Sequence, residues 1–265
     1  MEVHRPMEDV KRPLPATVGL LDALRDGWFN LATGELAPGV KIHATDTVID
    51  VGCGDGGNIL FCARQGAEVI LVDQDEERLA STEAKVKATP AHAYRAIVSD
   101  CNPIPLPAET GDVVICTEVL EHVEDPRQFL SELVRIAKTG SSLLITVPDA
   151  CSETLVGSTA PSGYFREPNH VRIFAAGELR NILLEAGLEI VGEQRLGCFW
   201  SMYMALSWLT SESDEILQIN NPHPIPDYWA RLWQELQNHP GGDRVKDALN
   251  ELIPRTHAFV LRKSG

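Results

Sequence analysis

The chain has 265 residues, 44% of them hydrophobic, and its 38 acidic against 23 basic residues give a formal net charge of −15. This length fits one large domain or two small ones, and the composition excludes a disordered or low-complexity chain. Because a field of this sign repels phosphate backbones and anionic lipid surfaces, nucleic acids and membranes are not the expected partners.

Three further features predict a cytoplasmic protein. The segment Met1–Pro15 is charged and has no apolar run, so it does not resemble a secretory signal. The longest apolar stretch, Phe199–Leu209, is too short to cross a bilayer, which needs about 20 residues. The six cysteines form neither a CxxC pair nor a zinc spacing, and we expect them to be buried thiols.

From Thr47 onward, short β-branched runs alternate with helical stretches, which predicts a doubly wound, mostly parallel α/β sheet covered on both faces. A helix over Thr17–Ala32 precedes this pattern. The predicted strands are Val48–Val51, Val69–Val72, Tyr94–Val98, Val113–Cys116, Leu143–Val147, Glu189–Glu193 and His257–Leu261. The predicted helices between them are Gly57–Gln65, Glu76–Lys87, Pro126–Ala137 and Ala176–Ala186, with Gly140 and Gly187 as helix-stopping glycines.

Two additions to the sheet are expected within a single domain that spans residues 1–265. Residues 1–44 form an N-terminal helical extension, and residues 197–255 form a helical cap inserted before the last strand. The cap contains the apolar segment Phe199–Leu209 and a second helical stretch, Tyr228–Gln237. Residues Ala150–Asn169 are rich in Ser, Thr, Gly and Pro, and their length predicts a lid or a binding loop.

A glycine loop follows the first predicted strand, where Gly52, Gly54 and Gly57 satisfy the G-x-G-x-x-G pattern. Such glycines indicate only that a ligand or another backbone approaches closely. The loop carries Asp50 before it and Asp55 within it, and both would repel the pyrophosphate of a dinucleotide. S-adenosylmethionine (SAM) has no phosphate but carries an ammonium and a sulfonium, so acidic neighbours favour it.

Two more acids follow the next two strands of the predicted sheet. Asp73 ends the second strand, where a carboxylate can accept hydrogen bonds from both ribose hydroxyls. Asp100 closes the third strand, where it could accept from the adenine amino group while the Cys101 backbone meets the ring. The alternative for Asp100 is a turn cap before Asn102 and Pro103.

These blocks together resemble the class I SAM-dependent methyltransferases from about Thr45 to Gly187. The resemblance includes Val48–Gly56, Asp73, Asp100, Asp112–Val123 and His170–Phe174. Within this class, the chain looks most similar to the ubiquinone-biosynthesis-type small-molecule O-methyltransferases. It implies a Rossmann-like seven-stranded sheet whose last strand is antiparallel, and SAM as methyl donor with S-adenosyl-L-homocysteine as product. The implied cofactor contacts are Asp50, Gly52, Cys53, Gly54, Asp73, Gln74, Asp100, Cys101, Thr117 and Glu118. The 197–255 insertion departs from the family pattern.

Methyl transfer to a hydroxyl requires a positioned nucleophile and removal of its proton. Either His122 or His170 is a candidate general base, since imidazole titrates near working pH. Alternatively Glu118, Glu121, His122 and His170 bind one divalent cation, as their resemblance to the metal set of small-RNA 2′-O-methyltransferases implies. In a third interpretation, Glu121 and His122 merely begin a helix.

Acceptor contacts are predicted at Trp200, Tyr203 and Met204 of the cap and at Arg172, which could instead tie a loop to the sheet. We expect methylation of a small or medium organic acceptor on oxygen, with a homodimer possible through the apolar insertion. The rivals are a metal-dependent RNA 2′-O-methyltransferase, a non-catalytic SAM-fold binding protein and an NAD-dependent oxidoreductase. The last lacks its usual proton donor here, because no tyrosine has a lysine four residues on.

Overall fold

A computed structural model describes residues 14–212, 214–216 and 221–265. Most of the predicted N-terminal segment Met1–Pro15 lies outside the described residues. The helices are α1 Pro15–Arg25, α2 Gly57–Arg64, α3 Glu76–Val86, α4 Pro126–Ile136, α5 Ala150–Val156, α6 Glu178–Glu185, α7 Cys198–Leu209, α8 Pro224–Asn238 and α9 Gly242–Leu252. The strands are β1 Glu35–Ala37, β2 Val40–Lys41, β3 Thr47–Val51, β4 Glu68–Asp73, β5 Ala93–Val98, β6 Gly111–Thr117, β7 Ala137–Pro148, β8 Leu188–Leu196 and β9 Thr256–Lys263.

Seven strands form one sheet in the order β5-β4-β3-β6-β7-β9-β8. The pairs from β5 to β7 are parallel, and β9 runs antiparallel between β7 and β8. This architecture confirms the predicted fold class, including the antiparallel last strand. The order reverses at β3, so the cleft beyond the carboxyl ends of β3 and its neighbours is where such sheets bind ligands.

Both faces of the central strands β3, β4 and β6 are buried, as their continuous apolar runs predict, whereas the edge strands β5 and β8 are partly exposed. Ile49 and Val51 of β3 pack with α4 and α6 on one face, whereas Val48 packs with α2 and α3 on the other. Helices α7, α8 and α9 follow β8, and α7 and α8 build a separate apolar cluster with Val18 of α1. The N-terminal helix is thus packed against the segment between β8 and β9.

Several predicted elements need correction. Helix α1 ends at Arg25, not Ala32, because Gly27 turns the chain with a φ of +86° before the hairpin β1–β2. Residues 150–169 are not one loop: Asp149 accepts a hydrogen bond from the Cys151 backbone N–H and starts α5. Gly140 lies inside β7, which begins directly after α4, so it does not stop a helix.

The structure also shows where the cysteines lie and whether any described helix could cross a membrane. Five of the cysteines are buried as predicted, but Cys151 is exposed. Among the described residues, every helix is too short or too polar to cross a membrane.

Candidate active site

A cavity of about 420 Å³ opens beyond the carboxyl ends of β3, β4, β5 and β6. Its size is within the range of small-molecule sites. Seven of the predicted cofactor residues line it, together with residues from α3, α4 and the turn before His170. The predicted members are Gly52, Gly54, Asp73, Gln74, Asp100, Cys101 and Glu118, and the others are Asp75, Arg78, Ser99, Val119, His122, Val123, Phe129, Pro168 and Asn169.

The glycine loop is held against β4 by the backbone. The N–H groups of Gly52 and Cys53 donate to the Val72 carbonyl at 2.8 and 3.1 Å. Gly52 has a φ of +75°, and a Cβ atom there would lie 2.4 Å from Val119 Cγ2. Glycine is therefore required at this position both by the turn and by the close approach of Val119.

Asp73 occupies the end of β4 and faces the cavity. Its Oδ2 accepts from the Gly54 N–H at 2.8 Å, and its Oδ1 accepts from the Asp75 N–H at 3.0 Å. A carboxylate oxygen can accept more than one hydrogen bond, so both oxygens keep capacity for hydroxyl donors. These two backbone contacts fix the position of the carboxylate at the edge of the cavity.

The charged residues that line the cavity are mainly acidic, although Asp50 and Asp55 of the glycine-loop sequence are not among them. Asp73, Asp75, Asp100 and Glu118 line it against one guanidinium, that of Arg78. Sequence reasoning missed Arg78, which lies one turn into α3, beside Gly54. The arrangement suits a ligand that carries positive charge.

Two lining residues, Cys101 and Glu118, adopt left-handed backbone conformations with φ values of +63° and +55°. Such conformations are costly for residues other than glycine and cluster at functional sites.

Asp100 Oδ1 accepts from the Asn102 N–H at 3.1 Å, so it caps the turn as the alternative interpretation predicted while also facing the cavity. The Cys101 N–H donates to the Ser99 hydroxyl at 2.9 Å.

Three predicted cofactor residues do not line the cavity in the described structure. Cys53 packs in the core beside α2, and Thr117 accepts a hydrogen bond from the Asn58 amide at 2.9 Å. Asp50 is buried beneath the loop, where desolvation and then the charge of Asp73 raise its pKa to about 7. Their role as direct cofactor contacts stays a prediction.

Next to the cavity, Glu121, His122 and His170 bring three ligand atoms within 4.8 Å of one another. Glu121 is 1% exposed, and both its carboxylate oxygens lack hydrogen-bond partners among the described residues. Burial, and then the charge of Glu118, raises the pKa of the Glu121 carboxyl well above its ordinary value. Glu118 is not part of this cluster; its Oε1 accepts from the Thr146 hydroxyl at 2.9 Å.

The contacts of the two imidazoles determine which nitrogen carries the proton. His122 Nδ1 lies 3.2 Å from the Pro168 carbonyl oxygen, and His170 Nδ1 lies 2.8 Å from Glu153 Oε2. Since both partner oxygens can only accept, each Nδ1 is the donor. In a neutral ring, the Nε2 atom then presents a lone pair, and His122 Nε2 lies 3.6 Å from Glu121 Oε1.

Sequence reasoning missed the buried charged residues behind His170. Glu153 of α5 accepts from Arg255 at 2.8 Å and from the Tyr164 hydroxyl at 2.9 Å. Burial alone would raise the pKa of the Glu153 carboxyl, but the His170 hydrogen bond and the Arg255 charge together hold it below its ordinary value. The residues come from α5, the following turns and the start of β9, so no local pattern joins them.

The predicted acceptor residues lie elsewhere. Tyr203 is fully buried between Phe199 and Trp200, and Met204 packs beside Trp208, so the structure does not bring them to the cavity. The indole of Trp200 packs on Gly19 of α1. Arg172 donates to the Glu124 carbonyl at 3.0 Å and lies over the Phe174 ring, which matches the structural interpretation of this residue.

Comparison with known proteins adds a family match. Residues 49–145 match the model of a family described as a methyltransferase domain. A protein of Mycolicibacterium smegmatis named "Probable S-adenosylmethionine-dependent methyltransferase" is 32% identical over 153 residues, which cover 57% of this chain and 54% of the relative. The ubiquinone biosynthesis O-methyltransferase of Methylococcus capsulatus is 28% identical over 156 residues, covering 56% of this chain and 65% of the relative.

The fold agrees with these sequence matches. A structure of an S-adenosylmethionine-dependent methyltransferase from Mesorhizobium loti superposes with a TM-score of 0.53 at 15% identity, covering 82% of this chain and 90% of that one. The chain spans only about half to two thirds of the length of the two relatives named above. The predicted resemblance to class I SAM-dependent methyltransferases is confirmed.

Proposed function

We propose that the protein transfers the methyl group of SAM to an oxygen of a small or medium organic acceptor; the match of residues 49–145 to the model of a methyltransferase-domain family supports the transfer. The observation that carries this proposal is the acidic cavity at the switch point of the sheet. Gly52, Gly54, Asp73 and Asp100 line it, and the Gly54 N–H donates a hydrogen bond to the Asp73 carboxylate. These groups suit a cationic adenosine compound without phosphates.

The proposed oxygen acceptor rests on the ubiquinone-pathway relatives and on the two histidines beside the cavity. In the reaction, the acceptor oxygen forms a bond to the methyl carbon while the carbon–sulfur bond breaks, and S-adenosylhomocysteine leaves. The hydroxyl proton passes to a base. His122 lines the cavity, and its Nε2 is free of a proton when the ring is neutral. Burial lowers the pKa of His122, which favours that neutral form.

Calorimetric titration with SAM tests the cofactor assignment. We expect the wild-type chain to bind SAM and Asp73→Asn to bind it at least ten-fold more weakly, since a charged hydrogen bond to a hydroxyl contributes about 1.5–3 kcal/mol. Glu77→Gln is the matched control, because Glu77 is an exposed acid of the same helix–loop region that does not line the cavity. Equal affinities for Asp73→Asn and wild type would contradict the assignment.

The acceptor class is tested with methyl-labelled SAM and a panel of phenols, catechols, carboxylates and amines. The proposal predicts labelled methyl ethers or esters, and their formation should fall at least 100-fold in His122→Ala if His122 removes the proton. Methylated amines as the sole products would refute the oxygen assignment while leaving the cofactor assignment intact.

A second proposal, that Glu121, His122 and His170 hold a divalent cation, is favoured by the unpartnered carboxylate of Glu121. The carboxylate and the two imidazoles bring ligand atoms within 4.8 Å of one another, and both Glu121 oxygens lack a hydrogen-bond partner among the described residues. Metal-binding histidines commonly donate their other ring N–H to a carbonyl or carboxylate, as both do here. Such a cation would lower the pKa of a bound hydroxyl. Glu118, predicted as a fourth ligand, is not among the residues whose ligand atoms lie within 4.8 Å of one another.

Titration of the wild-type chain with Zn²⁺, Mn²⁺ and Mg²⁺ tests the cation separately from SAM. We expect one high-affinity site for at least one of these ions, lost in Glu121→Gln and in His170→Gln. Binding of none of the three would remove the cation role and leave His122 as the direct base. The affinity of the metal-free protein for SAM is measured as well, so that a failure to bind a cation is not mistaken for a failure of the cofactor assignment.

A further inference from the structure

Glu153 is an internal carboxylate with three donors around it. It is 1% exposed, and its Oε1 accepts from both Arg255 Nη1 at 2.8 Å and the Tyr164 hydroxyl at 2.9 Å. Its Oε2 is directed at His170 Nδ1, 2.8 Å away. The fixed cation and the hydroxyl on one oxygen thus leave the other oxygen to the imidazole.

This arrangement constrains His170 more than a packing contact would. An ionised carboxylate has no proton to donate, so the nitrogen that faces it must be protonated. A neutral His170 is then held as the Nδ1–H tautomer with its lone pair on Nε2, and the ring lies in the cluster whose ligand atoms, from Glu121, His122 and His170, are within 4.8 Å of one another. His170 itself is only 8% exposed, and its ring also packs against Tyr164 and His122, which limits rotation of the ring.

We propose that Glu153 is a positioning residue, which fixes the tautomer of His170 and so presents the Nε2 lone pair to the Glu121–His122 pair. The inference rests on the proposed role of that cluster in deprotonating the acceptor. Arg255 and Tyr164 orient Glu153 in turn. Glu153 does not line the SAM cavity, so it acts on the proton-handling side and not on cofactor affinity.

Glu153→Gln makes a specific test possible because the substitution preserves size but breaks the symmetry of the carboxylate. Arg255 donates to the Oε1 position, so the amide oxygen of glutamine must take that place. The amide NH₂ group then faces His170 Nδ1 and requires it to accept. The variant should therefore invert the tautomer, placing the proton on Nε2.

The measurement is ¹⁵N NMR of the imidazole nitrogens in histidine-labelled full-length protein at about pH 8, where an ordinary imidazole is neutral. His170 signals are assigned by their loss in His170→Gln. We expect Nδ1–H in the wild type, Nε2–H in Glu153→Gln, and Nδ1–H in Tyr164→Phe, which removes one donor but retains the carboxylate and Arg255. Nε2–H in the wild type would overturn the proposal even if no variant folded, and so would an unchanged tautomer in Glu153→Gln.

Kinetics and metal titration provide the functional readouts. Loss of a residue that orients an active imidazole commonly costs 10- to 100-fold in activity or metal affinity. We expect a loss of this size in kcat and in Zn²⁺ affinity for Glu153→Gln, with SAM affinity unchanged. Inverted tautomers with undiminished kcat and Zn²⁺ affinity would overturn the functional part of the proposal. Failure of SAM to bind the wild type would instead contradict the proposed methyl transfer and leave the tautomer result standing.

Discussion

At the level of single residues, Asp50 shows how the glycine loop is built over a poorly solvated carboxyl group. It is 2% exposed, and desolvation together with the nearby charge of Asp73 raises its pKa to about 7. An Ile59 backbone hydrogen bond only partly offsets this shift. Because folding raises the pKa of Asp50, the neutral carboxyl group stabilises the folded state. This contribution is fully present below the unfolded-state pKa of 3.8 and is lost as the pH rises through about 7.

Asp50→Asn should remove this pH dependence. From pH 5 to pH 8 the wild type should lose about 2 to 3 kcal/mol of unfolding free energy to Asp50 ionisation, a loss that asparagine does not share. Urea unfolding of SAM-free protein at both pH values measures the difference, with Glu77→Gln as the control acid. Identical pH dependence in Asp50→Asn and wild type would show that Asp50 has an ordinary pKa.

The glycines of the loop offer a second residue-level test. Gly52 has a positive φ and Val119 beside it, whereas an added Cβ at Gly57 would meet nothing within 4 Å. Gly52→Ala should therefore lower both the melting temperature and the affinity for SAM, because Val119 must move into the cavity. Gly57→Ala should leave both nearly unchanged. Thermal unfolding with and without SAM compares them, and equal behaviour of the two variants would argue against a tight loop.

At the level of elements, α1 is fastened to α8 and α9 through buried polar groups. Asp22 accepts from Trp233 at 2.8 Å and from Gln237 at 3.1 Å. Lys246 of α9 is 3% exposed and lies 2.5 Å from Asp26 and 3.5 Å from Asp22. Burial raises the pKa of Asp26 to about 6, with Lys246 opposing the rise. The N-terminal helix therefore depends on an ion pair that the sequence separates by 220 positions.

Lys246→Met should destabilise the protein by about 3–5 kcal/mol at pH 8, because it leaves buried carboxylates without their cation. The loss should be smaller at pH 5, where Asp26 can be protonated. Chemical unfolding at the two pH values measures it, and Lys87→Met, at the exposed residue that follows α3, is the control. A pH-independent loss would show that Lys246 acts through packing alone.

The same elements show what sequence patterns can and cannot predict. The central strands β3, β4 and β6 were predictable because buried parallel strands are continuous apolar, β-branched runs. Helix α5 was missed because its short apolar content is surrounded by Ser, Thr and Gly. Gly52, Asp73 and Asp100 lie at the carboxyl ends of β3, β4 and β5 or within two residues of them, so their meeting at one edge of the sheet follows from topology. Glu153 and Arg255 meet across about 100 positions, and only the folded chain brings them together.

At the level of the whole molecule, the net charge of −15 agrees with the acidic cavity and disfavours phosphate-rich partners. RNA should therefore bind weakly or not at all, and methyl transfer to small acceptors should proceed without it. Fluorescence anisotropy with labelled single-stranded and double-stranded RNA at about 0.15 M salt measures this. Tight, salt-dependent RNA binding would favour the RNA 2′-O-methyltransferase that the Glu/His cluster resembles.

The most direct test of the account compares SAM with NAD⁺ in calorimetric titrations of the full chain. Both ligands contain adenosine, but only NAD⁺ requires a pyrophosphate to lie against the loop that contains Gly52 and Gly54. We predict a single SAM site that S-adenosylhomocysteine occupies competitively, and no saturable binding of NAD⁺. Binding of NAD⁺ with no binding of SAM at millimolar concentration would contradict both the electrostatic interpretation of the cavity and the proposed methyl transfer.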